Sequence, residues 1–368
     1  MKYVDEYRDK EAAEKQAEDI RRSAARLDGK VTFMEVCGTH TMAIYRYGIR
    51  SMIPDTIKLV SGPGCPVCVT PISYVDTAIE IAEIPDVLIA TFGDMVRVPG
   101  SRSTLQKERG AGRDVRVVYS PLDAVAMARE NPGREVVFLG VGFETTAPLI
   151  ACSILEARRE GLTNYSVLCA HKTMPEPMEA LTSGEIRLDG YICPAHVSAI
   201  IGADAYIPVA KKFSMPCVVT GFEPLDILRG LGMLVRQAAE GRAEVENEYY
   251  RVVRPEGNLK AQLILEQVFV KTDALWRGLG TIPDSGLALS EEFEMYDASK
   301  RFGVSLPEAR ENPACICGQI LKGLNDPPDC KLFGKACTPD NPIGACMVSS
   351  EGTCAAAYKY GESDPARA

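Results

Sequence analysis

The chain has no excess of positive charge, no long apolar run and a single tryptophan. With 41 Lys and Arg against 50 Asp and Glu the net charge is -9, so no basic field is available to attract a phosphate backbone, and nucleic acid is not an expected partner. The most apolar stretch, Val136 to Phe143, is eight residues long. A bilayer span needs about 20, so no transmembrane helix is expected. The first ten residues mix charges of both signs where a secretory leader would place an apolar stretch, and a cytoplasmic location is expected. Average globular composition, 46% apolar and 25% charged, argues against disordered, collagenous and small disulfide-framework classes.

What is abundant is cysteine, 13 residues against one tryptophan and three histidines. A reducing cytosol keeps such thiols from serving as structural disulfides, so clustered cysteines point to metal or redox chemistry.

A length of 368 residues exceeds what one core of roughly 250 residues can fill. Residues 1–29 are rich in strong helix formers and read as an N-terminal helix, spanning 5–27. From Val31 onward, short β-branched runs alternate with amphipathic segments opened by proline, the rhythm of parallel α/β architecture. The expected strands are 31–36, 57–60, 87–91, 115–119, 136–141, 166–170, 191–193 and 218–220, with helices at 71–83, 121–129, 146–160 and 225–240. They predict two similar parallel-sheet α/β domains, 30–130 and 131–241, facing each other across a cleft at their strand carboxyl ends. Two echoes suggest duplication: Glu35 to Ala43 resembles Gly140 to Ala147, and Cys65-Pro-Val-Cys-Val-Thr70 resembles Cys193-Pro-Ala-His-Val-Ser198. Residues 242–368 form an accessory region, with a strand at 249–253, helices at 259–269 and 291–302, and a Pro/Gly/Cys-rich tail.

Four groups of residues carry candidate chemistry. In the tail, Cys315, Cys317, Cys330, Cys337, Cys346 and Cys354 lie among prolines and glycines that forbid long elements, so metal coordination is expected to order the backbone. No pair of close Cys knuckles is present there, which favours a [4Fe-4S] cluster over zinc. Cys65 and Cys68 sit at a helix start, where the dipole favours thiolate and a Cys-x2-Cys pair closes readily to a disulfide; half a zinc knuckle is the alternative. Cys37 and His40 follow the first strand and suit either a nucleophile with its base or a soft-metal ligand with a tuning donor, Glu35 being a possible orienting carboxylate. Glu144, His171 and His196 occupy strand-end turns of the second half. Gly140-Val-Gly-Phe-Glu144 lacks the third glycine of a dinucleotide fingerprint.

Taken together, Phe33 to Thr41, Ser61 to Pro71, Gly140 to Pro148 and the tail resemble the hydrogenase maturation factor HypD family from about residue 30 to 360. The resemblance implies a scaffold that works with the small chaperone HypC to assemble the Fe(CN)2CO moiety of [NiFe] hydrogenase, with cyanide delivered by HypE. It implies Cys315, Cys330, Cys337 and Cys354 as [4Fe-4S] ligands, leaving Cys317 and Cys346 as extra thiols. It also implies Cys37 as the iron-binding thiolate, and Cys65 with Cys68 as a couple relaying electrons from the cluster. The family's Pro-Gly-His-Val-Ser turn reads Pro194-Ala195-His196 here, so a glycine is replaced while His196 is kept. The competing reading is an iron-sulfur thiol-disulfide reductase acting on a protein partner.

Overall fold

The computed structural model describes residues 5–304 and 311–361; residues 1–4 of the expected N-terminal segment, and 305–310 and 362–368 of the accessory region, lie outside the described residues. The β-branched runs form strands β1 (Val31–Glu35), β2 (Ile57–Ser61), β3 (Val87–Thr91), β4 (Asp114–Val117), β5 (Glu135–Gly140), β6 (Tyr165–Cys169), β7 (Gly190–Pro194), β8 (Cys217–Thr220) and β9 (Val245–Asn247). They make two fully parallel sheets, one ordered β2-β1-β7-β8-β9 and the other β4-β3-β5-β6. Strands β3, β7 and β8 are buried along their whole length, as expected where helices cover both faces of a sheet.

The strands do not divide at residue 130 as their order suggests. The second sheet takes four consecutive strands, whereas the first takes β1 and β2 from one end of the α/β region and β7, β8 and β9 from the other. Local periodicity identifies a strand but not its partner, and here the connections after β2 and after β6 each carry the chain from one sheet to the other. The sheets nonetheless share an arrangement. If β7 and β8 are read before β1 and β2, the order β8-β7-β1-β2 matches β4-β3-β5-β6, with β9 added beside β8. The first echo then falls at equivalent positions, the carboxyl ends of β1 and β5, where strand order reverses and a crevice opens. The second echo joins β2 to β7, which are not equivalent.

The N-terminal helix Lys10–Ala24 buries Ala13, Ala17, Ile20 and Ala24, one stripe of a 3.6-residue period, against the helix Pro224–Glu240. Three expectations for the accessory region change. Residues 249–253 are a turn, and the edge strand is β9. The helix Leu259–Val268 runs into an antiparallel hairpin, β10 (Phe269–Trp276) and β11 (Gly280–Leu289), which Pro283 and Gly286 hid from the strand pattern. The helix expected over 291–302 is broken at Asp297, whose side chain accepts from the Ser299 N–H and restarts the chain as Ala298–Phe302.

Candidate functional site

Cys37 closes the extended chain after β1 and caps the helix Gly38–Arg46. The Gly62-Pro-Gly64 turn explains the glycines before Cys65: a Cβ on Gly64 would lie 2.1 Å from the Cys37 nitrogen. Only glycine lets the two cysteine-bearing turns touch backbone to backbone, with the Gly38 N–H donating to the Gly64 carbonyl at 2.9 Å. Glu35 orients this turn through the backbone. Its Oε2 accepts the Cys37 N–H at 3.0 Å, its Oε1 accepts the Thr41 hydroxyl, and burial pushes its carboxyl up to about 8. Cys37 is 7% exposed, and its thiol is pushed up to about 12, first by burial and then by the Glu351 carboxylate; the N–H groups of His40 and Thr39 at the helix start act the other way.

His40 is not placed as a base for Cys37. Its Nε2 meets the Gly221 carbonyl at 2.9 Å, the Thr220 carbonyl at 3.2 Å and the Thr220 hydroxyl at 2.9 Å, and burial holds it down at about 4. The Phe222 ring lies between His40 and the exposed His196, with centroids 4.7 and 4.1 Å away. Both histidines thus stand at the carboxyl ends of the first sheet, while Glu144 and His171 are sealed in the second. Glu144 accepts the Met174 N–H at 2.9 Å, its other oxygen has no partner among the described residues, and burial raises it to about 7. His171 packs on Phe269, both ring nitrogens lack partners among the described residues, and burial lowers it to about 3.

Cys65 caps the short helix Pro66–Val69, and its Sγ lies 2.6 Å from that of Cys68, accepting the Cys68 N–H at 3.3 Å. Both thiols are buried, at 3% and 0% exposed. Cys65 also lines a cavity of about 390 Å3 with Phe92, Asp94, Val141, Thr146 and Glu351, at the carboxyl ends of β2, β3 and β5. Glu351 was not foreseen. It lies in the tail, 312 positions from Thr39, whose hydroxyl it accepts at 2.7 Å, and it fills the space beside Gly38.

The two extra tail thiols stand between the dithiol and the rest of the tail. Cys68 neighbours Cys346, Cys346 neighbours Cys317, and Cys317 neighbours both Cys315 and Cys354, so the thiols follow one another from the dithiol into the tail. There Cys315, Cys317, Cys330, Cys337 and Cys354 line one cavity whose other walls, Ile320, Leu332, Phe333 and Met347, are all apolar. The four cysteines that the resemblance implies as ligands all line it, and Cys346 does not. No group of three or more His, Cys, Asp or Glu among the described residues is arranged to hold a single metal ion. Thiols ringed around an apolar-walled cavity fit a multi-iron sulfur cluster better than a tetrahedral zinc, whose ligands must close to about 2.3 Å from one point. Gly344 leaves that ring open, since a Cβ there would come within 2.8 Å of the Cys315 sulfur and 2.7 Å of the Cys317 sulfur.

Comparison with known proteins agrees with these motifs. The family model HypD, described as a hydrogenase formation hypA family, matches residues 11–361. The chain is 50% identical to the hydrogenase maturation factor HypD of Azotobacter vinelandii, over 98% of this chain and 97% of that protein. It is also 50% identical to the hydrogenase expression/formation protein HupD of Azotobacter chroococcum, with the same coverage. With the Escherichia coli hydrogenase maturation factor HypD the identity is 44%, over 98% of each chain. The chain belongs to the HypD family of hydrogenase maturation factors.

Proposed function

We propose that this chain is the scaffold on which, together with a HypC-like chaperone, the Fe(CN)2CO unit of a [NiFe] hydrogenase is assembled, cyanide arriving from a HypE-like donor. Cys37 supplies the thiolate that holds the iron being built. It stands at the reversal of strand order, the place where parallel α/β sheets receive ligands, with Glu351 of the tail packed against Gly38 beside it. Glu35 fixes the turn that presents Cys37, and His40, on the helix that Cys37 caps, packs with His196 on Phe222. A [4Fe-4S] cluster held by Cys315, Cys330, Cys337 and Cys354 would supply single electrons there. The Cys65–Cys68 pair takes two electrons and two protons in passing from disulfide to dithiol.

The observation that carries this reading is the succession of neighbouring thiols, from the Cys65–Cys68 contact beside the Cys37 turn, past Cys346 and Cys317, to the cavity lined by the proposed ligands. Burial of both Cys65 and Cys68 argues against a reductase acting on an external protein disulfide, which needs an exposed attacking thiol. No helix among the described residues is long and apolar enough to cross a membrane, which suits work in the cytoplasm. Anaerobic co-purification with a HypC-like partner tests the reading. Infrared stretches of iron-bound cyanide and carbon monoxide, with iron and sulfide analysis showing a four-iron cluster, are expected; a zinc-containing, colourless protein would overturn it.

A further inference from the structure

The turn between β10 and β11 does more than close a hairpin. Arg277 is 3% exposed, and its backbone N–H donates to the Val69 carbonyl at 2.8 Å, fastening the turn to the end of the Cys65–Cys68 helix. Gly278, at φ +76°, lies against Gly318, the neighbour of Cys317, so closely that a Cβ on Gly278 would stand 2.3 Å from the Gly318 Cα. The turn is therefore wedged between the dithiol and the tail cysteines, and the close approach requires glycine on both sides.

The guanidinium in this wedge is incompletely matched. Its Nε donates to the Glu311 carboxylate at 3.0 Å, and Glu311 is 37% exposed, so solvent weakens the pairing. Nη1 is buried with no hydrogen-bond partner among the described residues. Burying a cation with a free donor is costly unless acceptors of opposite charge are nearby. The turn holds this charge beside the sulfurs by backbone contact, Arg277 being tied to Val69 next to Cys68 and Gly278 touching Gly318 next to Cys317.

We propose that Arg277 is a positioning residue of the redox centre, a buried counter-charge and hydrogen-bond donor that raises the reduction potential of the sulfur cluster held by the tail cysteines. The inference rests on the cluster reading above. Net charge and hydrogen bonds to sulfur are the protein's main levers on such potentials, and a fixed cation favours the more negative, reduced state. Glu311 sets how much of that charge is felt. The two residues form an electrostatic pair with opposing influence, and neither lines the cavity of the tail cysteines itself.

Potentiometric titration of the anaerobically purified full chain, followed by electron paramagnetic resonance of the reduced cluster, tests this. Arg277→Gln should shift the midpoint to more negative potential, Arg277→Lys should restore most of the shift, and Glu311→Gln should move it to more positive potential. A purely structural role predicts no such reversal of sign. An Arg277→Gln protein with full iron content and the wild-type midpoint would overturn the proposal, as would Glu311→Gln moving the midpoint to more negative potential. Should Arg277→Gln fail to load iron, the positive shift in Glu311→Gln, with a near-wild-type midpoint in Arg277→Lys, still supports it, and an unshifted Glu311→Gln then refutes it. Wild-type protein without any iron-sulfur signal would remove the cluster reading itself; a loaded wild type with unresponsive variants removes only the role of Arg277.

Discussion

The turns after β1 and β5 occupy equivalent places in two sheets of matching strand order, yet their chemistry diverges. After β1, Cys37 meets the Cys65 turn through backbone contact, Glu35 holds the Cys37 N–H, and His40 has partners at Thr220 and Gly221. After β5, Glu144 keeps one unpartnered oxygen, and His171, packed beside Gly140, has two unpartnered nitrogens. The crevice is common to both; what differs is what closes on it. In the first sheet the tail brings Glu351 against Gly38 and Cys346 against Cys68, whereas around His171 the hairpin supplies Phe269 and seals the ring. Topology offers a site twice, and on the proposed function the tail makes one of the two reactive.

The sharpest way to break this comparison is to add one methyl to each turn. Gly64→Ala drives a Cβ into the Cys37 backbone, which cannot yield, while Gly140→Ala meets the side chains of Val167 and His171 first, with the Leu168 carbonyl farther off at 3.3 Å. Urea unfolding should show Gly140→Ala losing about 1–3 kcal/mol, the ordinary range for overpacking, and Gly64→Ala losing more. Equal losses would mean that the backbone contact between the cysteine turns is not special.

Cutting the connection to the tail is the next test. Cys346→Ala removes the link between Cys68 and Cys317 without touching the four proposed ligands. It should keep its cluster absorbance while dithionite no longer changes alkylation of the Cys65–Cys68 peptide. Unaltered dithionite response would show that electrons reach the pair by another route.

The histidines sharpen the contrast at smaller scale. His40→Leu strands the Gly221 and Thr220 carbonyls and should cost about 1–3 kcal/mol, whereas His171→Leu replaces an unpartnered ring and should be near neutral or stabilising. Thermal denaturation of the two variants distinguishes the cases, and a larger loss for His171→Leu would contradict the account.

These differences mark where the sequence stops informing. The positions of β1 to β8 follow β-branched runs and are found within a residue or two, because burial on both faces imposes composition locally, whereas β9 and the hairpin are not. Sheet membership is set by where a crossover lands, so β7 pairing with β1 leaves no local mark. The thiols stand out by spacing and scarcity of competing chemistry. Glu351, Arg277 and the linking role of Cys317 and Cys346 depend on contacts across hundreds of residues, and of these only the two cysteines carried a signal, as thiols left over from the ligand pattern.

The smallest expected effect is on pH dependence. Glu144 is raised from 4.5 to about 7, so its protonated form contributes stability that is complete below 4.5 and lost as pH rises to 7. His171 is lowered from 6.5 to about 3, so the stability of its neutral form is complete above 6.5 and lost as pH falls toward 3. Glu144→Gln should therefore flatten the decline between pH 4.5 and 7, and His171→Leu the decline on the acid side. Unfolding free energies measured across that range check both, and unchanged slopes would show that these groups are hydrated rather than sealed.

The central claim is that the reactive turn is the one bearing Cys37. Infrared spectra of a Cys37→Ala chain, purified anaerobically with its HypC-like partner, test it most directly. The stretches of iron-bound cyanide and carbon monoxide should vanish while cluster absorbance and circular dichroism stay at wild-type levels. A complete diatomic spectrum from Cys37→Ala would contradict the assignment and place the iron elsewhere.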